Sequence, residues 1–551
     1  MIDIDRPVVG TESGRVQGAV EDGVAAFRGI PYAASPVAEL RFAAPQRPPT
    51  WSGVREATHP GPSVPQGPNR LAPVMGYRKP DWNEDGCLTV NVWTTHLPHH
   101  GSDRRPRPVL LWIHGTGFTT GSAGWNWYDG LHLAAAGDIV VVSANYRLGA
   151  LGYIYYLPEA GVENLGVQDQ TAVISWVRRN IAAFGGDPGN LTVGGQSAGA
   201  YAALYHALSP VTGPLFHQVI AQSGIWAVPP QRPEDAVDNA RRYLDILGLT
   251  GKPDPVAALR AVPVEQLIDA FQQLFQEVSV LGSLVPAMYP VLGSFGMPQA
   301  LNQALADGRL DGKRLLIGTT RNEMSALFAL DPVVQALTAA QARVVAGRLA
   351  ADGAERFDHA AALHPGATPA EILTEVDTDI QFRDGALAIA DHHAAARNPV
   401  HLYQFDYTPV PDPDRLGTPH TADLPFFFNH LDAFLGSPML GEPTAGARVL
   451  ARDFSRAAGT FVATGRPAVD HWRPYEPADP ATIRHFAAVG RHSNAAWTTT
   501  RSGSTGPGTA HHPVDGRPRL PDRSPRPRSR KRGGAEDKQD LIRLSLSFYL
   551  H

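Results

Sequence analysis

The run Leu191-Thr192-Val193-Gly194-Gly195-Gln196-Ser197-Ala198-Gly199 constrains the fold of this chain more than any other stretch. A short apolar segment, residues 191–193, gives way at Gly195-x-Ser197-x-Gly199 to a helix-forming stretch, residues 198–208. Strand, tight turn and helix in so few residues put the serine on a sharp, strained elbow. Glycines on either side let neighbouring backbone come close. The new helix aims free N–H groups at the same point. A weak alcohol nucleophile is presented to an acyl carbon in this way.

The elbow fits its surroundings. Val109-Leu110-Leu111-Trp112-Ile113 and Ile139-Val140-Val141-Val142 are short, near-continuous apolar runs, which read as strands buried on both faces. In residues 168–184, Val173, Val177, Ile181 and Phe184 recur at steps of four, four and three, the spacing of an amphipathic helix. Residues 191–193, 219–220, 315–317 and 400–405 supply further strands, and 445–464 a late covering helix. The alternation predicts an α/β fold with a mostly parallel sheet. Residues 43–82, dense in Pro and Gly, are expected to be surface loops.

Charge separates the ends of the chain. Residues 501–551 hold eleven Arg and Lys against five Asp and Glu, although the whole chain of 551 residues has a net charge of −5. The body is therefore acidic, so neither nucleic acid nor anionic membrane is expected as a partner. The Ser-, Pro- and Arg-rich stretch 496–551 lacks the apolar content to order itself and is expected to be a disordered tail behind a domain spanning 1–495. No signal peptide or membrane-spanning run is visible and Cys87 is the only cysteine, which points to a cytoplasmic, disulfide-free protein. A monomer is expected.

A serine nucleophile needs a base, an anion to hold the base, and donors for the oxyanion. His114-Gly115-Thr116-Gly117-Phe118 directly follows the strand 109–113, where a glycine-rich donor loop belongs. Together with Phe27-Arg28-Gly29-Ile30-Pro31-Tyr32-Ala33, Asp85-Gly86-Cys87-Leu88-Thr89-Val90-Asn91-Val92-Trp93 and Asn145-Tyr146-Arg147-Leu148-Gly149, these stretches resemble the type-B carboxylesterases. That family of α/β-hydrolases includes bacterial para-nitrobenzyl esterases and the cholinesterases. The resemblance covers residues 8–490 and implies the α/β-hydrolase fold, a central mostly parallel twisted sheet covered by helices on both faces.

The family order of Ser, then Glu, then His implies the catalytic set Ser197, Glu323 and His420. Glu323 lies in Gly318-Thr319-Thr320-Arg321-Asn322-Glu323 and His420 in Gly417-Thr418-Pro419-His420-Thr421-Ala422-Asp423. With 21 histidines in the chain, only that motif selects His420. By the same resemblance the N–H groups of Thr116, Gly117 and Ala198 form the oxyanion hole, and Ser223 supports the histidine. Neither metal nor organic cofactor is implied. Gln196 stands where the family usually has Glu, beside the nucleophile in a supporting place. Thr116 replaces a glycine, which is harmless at negative φ and strained at positive φ. Met324 replaces a glycine after the acid. Trp125, Trp127, Phe426 and Phe427 lie where they could line an apolar pocket, and Arg147 with Asp169 resembles a structural ion pair.

The function implied is hydrolysis of carboxylic esters of broad, hydrophobic type through an acyl-enzyme. Two alternatives stay open. One is amide, carbamate or lactone cleavage on the same scaffold; the other is a non-catalytic, cholinesterase-like binding protein.

Overall fold

The structure, a computed structural model, describes residues 6–78, 81–98, 105–156, 161–469 and 471–487. The basic tail 496–551 lies outside them. In chain order the strands are β1 (Val8–Thr11), β2 (Gly14–Gln17), β3 (Ala19–Glu21), β4 (Val24–Pro31), β5 (Val54–Glu56), β6 (Thr89–Thr94) and β7 (Arg107–Ile113). They continue with β8 (Val140–Ala144), β9 (Gly186–Gln196), β10 (Gln218–Gln222), β11 (Arg314–Thr320), β12 (Val400–Phe405) and β13 (Arg484–Phe486). Ten of them form one sheet in the order β13-β12-β11-β10-β9-β7-β8-β6-β4-β3, and β1-β2-β5 form a small one. From β13 to β8 all pairs are parallel; β6, β4 and β3 join antiparallel at one end.

The central strands carry apolar residues on successive positions because both faces of the sheet are covered. Along β7, Val109, Leu111 and Ile113 face one hydrophobic core, while Leu110 and Trp112 face the other. The helix Leu165–Asn180 packs Val173 and Val177 into the first core, and Ala445–Thr464 packs Phe454 and Phe461 into the second. Both expected helices are present. The first passes into a 3-10 turn at Ile181–Phe184, which buries the last two apolar positions of the stripe.

Two expectations need adjustment. Residues 43–82 are not all loop: β5 pairs with β2, and Ala72–Met75 makes one helical turn. The strand expected at 191–193 belongs to an eleven-residue β9 that runs to Gln196 and delivers Ser197 at its end. Among the described residues no helix is long and apolar enough to cross a membrane.

Register fixes where a site can form. Ile113 lies opposite Gly195, Gln222 opposite both Gln196 and Gly318, and Thr320 opposite Phe405. The carboxyl ends of β7, β9, β10, β11 and β12 therefore finish side by side, and the turns leaving them share one crevice.

Candidate active site

Ser197 joins β9 to the helix Ala198–Leu208 with φ 59° and ψ −124°. A non-glycine residue pays about 1–3 kcal/mol for such a backbone, and such strain persists where the surroundings dictate it. Here the surroundings are backbone. A Cβ on Gly199 would stand 2.0 Å from the Ile113 carbonyl oxygen, and one on Gly195 would stand 2.3 Å from the Gly199 carbonyl carbon. Only glycines let the helix start so close to the sheet. The Ser197 N–H donates to the Gln222 carbonyl at 2.8 Å, which pins the elbow to β10.

The turns after β11 and β12 carry the other two members. Glu323, fully buried, places one carboxylate oxygen 2.6 Å from Nδ1 of His420 and accepts the Thr320 N–H at 2.7 Å on the other. The Asn322 N–H donates to the Thr418 carbonyl at 2.9 Å, and the Thr418 N–H donates to the Asn322 side chain at 3.1 Å. Acid turn and histidine loop are thus laced together before the side chains meet. Ser197, Glu323 and His420 all line one cavity.

Thr116 and Gly117 line the same cavity. Their N–H groups have no acceptor among the described residues, and that of Ala198, first in its helix, has none within the helix. Thr116 does adopt a positive φ, 71°, followed by Gly117 at 66° and Phe118 at 61°. The β-branched residue is held there because its hydroxyl donates to the Thr120 carbonyl inside the loop. Gln66 braces the same loop, accepting the Gly121 N–H at 2.6 Å and donating to its carbonyl at 2.9 Å. His114 is buried and stacked 4.5 Å from Tyr146, and burial lowers its pKa to about 4, so it is neutral.

Other expected site residues fall elsewhere. The Ser223 hydroxyl is buried without a hydrogen-bond partner among the described residues, so it does not bond to His420. Its N–H donates to the Gly318 carbonyl at 2.8 Å, a role in the scaffold. Gln196 does reach the site, its amide nitrogen 3.1 Å from Nε2 of His420. Trp125, Trp127, Phe426 and Phe427 do not line the cavity; they pack in or against the second hydrophobic core. Phe427 lies 4.7 Å from Trp112, Phe426 lies 4.6 Å from Tyr407, and Trp127 stacks on Phe434. The one-turn helix Leu424–Phe427 buries its phenylalanines in that core.

The apolar wall comes from Leu71, Ile225, Leu284, Met324, Leu327 and Phe382. Sequence patterning singled out Met324 alone among them, as a departure from the glycine usual after the acid. The Phe382 ring lies 4.9 Å from the His420 ring and belongs to a π-helical turn, Asp379–Arg383, that no motif marks. Arg147 and Asp169 form the expected structural pair, buried and joined through Nε and a terminal nitrogen at 2.8 and 2.7 Å. Cys87 is buried and unbridged, and burial raises its thiol pKa far above the ordinary range. Among the described residues no cluster of His, Cys, Asp or Glu could hold a metal ion.

The chain matches the model of the carboxylesterase family over residues 5–495. It is 36 % identical over 493 residues to a phenmedipham hydrolase of Pseudarthrobacter oxydans, covering 87 % of this chain and 95 % of that one. It is 35 % identical over 488 residues to the para-nitrobenzyl esterase of Bacillus subtilis (strain 168), covering 86 % and 94 %. Among solved structures it superposes on a thermophilic para-nitrobenzyl esterase with a TM-score of 0.75 at 33 % identity, over 87 % of this chain and 96 % of the other. The strand-end crevice, the glycine-bound elbow and these matches together place the chain in the type-B carboxylesterase family, as a carboxylic ester hydrolase of the α/β-hydrolase fold.

Proposed function

We propose that Ser197, His420 and Glu323 cleave small hydrophobic carboxylic esters through an acyl-enzyme. The observation that carries this reading is the 2.6 Å contact between Glu323 and Nδ1 of His420, in a cavity shared with the Ser197 elbow. The carboxylate accepts a hydrogen bond from Nδ1–H, which leaves Nε2 as the base. Nε2 takes the Ser197 proton as Oγ attacks the carbonyl carbon, and Glu323 stabilises the imidazolium. The N–H groups of Thr116, Gly117 and Ala198 receive the oxyanion; losing one such donor typically costs about 3 kcal/mol of barrier. Nε2–H then protonates the departing alcohol, and water repeats the cycle on the acyl group. The aliphatic wall with Phe382 supports apolar substrates.

A second reading, amide or carbamate cleavage by the same residues, is favoured by the similarity to a phenmedipham hydrolase. A panel of p-nitrophenyl esters of rising acyl length with matched anilides and carbamates separates the two. Esters turned over fastest are expected; anilides or carbamates turned over faster select the second reading. A fluorophosphonate that labels wild type and not Ser197→Ala identifies the nucleophile, and labelling of both proteins alike removes Ser197 from that role.

A further inference from the structure

Gln196, the last residue of β9, has its amide nitrogen 3.1 Å from Nε2 of His420. Chemistry sets the direction of this bond. Nδ1 faces the Glu323 carboxylate at 2.6 Å and therefore carries the ring proton. Nε2 of the neutral ring is a lone pair, and only the NH2 end of the amide can donate to it. The other end, Oε1, is buried and has no hydrogen-bond partner among the described residues. A buried amide oxygen left unpaired is costly. It has a use once Nε2 becomes a donor.

That change is the central step of the ester hydrolysis proposed above, on which this inference rests. Nε2 can take the Ser197 proton only once the amide NH2 has released its lone pair, since the new N–H would otherwise confront that NH2. The resting bond therefore breaks as the proton moves. A half-turn of the amide about its last torsion offers Oε1 to the new N–H. We propose that Gln196 is a positioning residue for His420, donating to the neutral base at rest and, turned over, accepting from the imidazolium. No atom of Gln196 is transferred; the proton passes from Ser197 to Nε2 and on to the leaving group. Glutamate in the same place could accept but not donate.

Few groups compete for this role. Glu323 occupies Nδ1, and Asp423, bonded by the Tyr403 hydroxyl at 3.0 Å, feels the charge of Glu323. Phe382 covers the ring from the turn Asp379–Arg383, whose Asp379 and Arg383 pair with each other. Gly115 lies against the amide: a Cβ there would come within 2.9 Å of Oε1.

The test is the pH dependence of kcat and KM on p-nitrophenyl butyrate for wild type, Gln196→Met and Gln196→Glu, with folding checked by circular dichroism. Gln196→Met keeps the volume and loses both hydrogen-bonding ends, so kcat is expected to fall about tenfold with KM changed less than about twofold. Gln196→Glu favours the imidazolium, so the acidic limb of kcat/KM is expected to rise by about one pH unit or more. Wild-type kcat in Gln196→Met, or a Gln196→Glu profile that superimposes on wild type, overturns the proposal. Gln196→Leu serves the first comparison if Gln196→Met does not fold. Fluorophosphonate labelling of the wild-type protein is read separately. An unlabelled Ser197 therefore defeats the triad reading and is not confused with an inert Gln196.

Discussion

Glu323 and His420 hold each other by two bonds. The carboxylate lies 2.6 Å from Nδ1, and the main-chain N–H of His420 donates to the Glu323 carbonyl at 3.1 Å. The second carboxylate oxygen is committed to the Thr320 N–H. Glu323→Gln cannot serve both contacts, because its NH2 end must face either Thr320 N–H or Nδ1–H. Turning the ring to the other tautomer is the remedy, and it spends the lone pair needed for Ser197. The variant is expected to lose about a thousandfold or more in kcat with little change in KM. Steady-state kinetics on one good ester decides it; a loss under tenfold would mean that Glu323 does not set the tautomer.

The glycines of the elbow make a prediction about stability. Gly199→Ala drives a methyl into the Ile113 carbonyl, and backbone on both sides leaves no room to yield. A loss of about 3 kcal/mol or failure to fold is expected. Gly366, with nothing within 4 Å of its added Cβ, is the control, and Gly366→Ala should be nearly neutral. Urea midpoints of the two variants give the comparison, and equal midpoints would sink the packing argument.

The same geometry explains what was legible beforehand. Ser197, Glu323 and His420 sit in motifs that follow apolar strands, so one dimension was enough to bring them to one sheet edge. Asn145 is part of such a motif for a different reason: its amide accepts the Ala123 N–H and donates to the Pro62 and Cys87 carbonyls, tying loops together. Burial depth and direction were not legible. Trp127 and Phe426 lie near site residues in sequence, yet both are packed in the second hydrophobic core and neither lines the cavity. Leu284 and Phe382 face the cavity from segments whose apolar residues repeat no motif, so only tertiary packing brings them in. Positive φ at Thr116 was equally hidden, since it depends on a hydroxyl reaching the Thr120 carbonyl.

That hydroxyl gives a paired prediction. Thr116→Gly removes both the strain and the bond that compensates it, so stability should stay within about 1 kcal/mol of wild type. Its kcat/KM should stay within about threefold, since the oxyanion donor is main chain. Thr116→Val keeps the strain and loses the bond, so it should be less stable by about 1–2 kcal/mol and less active. Calorimetry and kinetics on both variants test the pair; equal behaviour of glycine and valine would count against it.

Asp423 should make stability depend on pH. Burial, and then the charge of Glu323, push its carboxyl up to about 7 from an ordinary 3.8. Between those values the folded chain keeps a proton that the unfolded chain has released. This contribution is complete below the unfolded value and declines as pH rises towards about 7. Asp423→Asn keeps an acceptor for the Tyr403 hydroxyl and cannot ionise. The variant should match wild type near pH 4 and exceed it at pH 8 by a few kcal/mol. Urea unfolding at the two pH values measures the difference, and a constant offset would remove Asp423 as its source.

Phe382 combines two contacts that a single substitution separates. Its ring closes the cavity wall and also lies 4.9 Å from the His420 ring. Phe382→Ala opens space beside the base, and a longer acyl chain can fill it. Each methylene accommodated in an apolar pocket contributes about 1 kcal/mol, so the kcat/KM ratio of octanoate to butyrate p-nitrophenyl esters should rise about tenfold or more. Butyrate, too short to fill the gap, should lose kcat because the imidazole is less confined. The two effects have opposite signs and are read from one data set. A uniform loss on both esters would show that Phe382 only steadies His420, and that the acyl chain binds along a different wall.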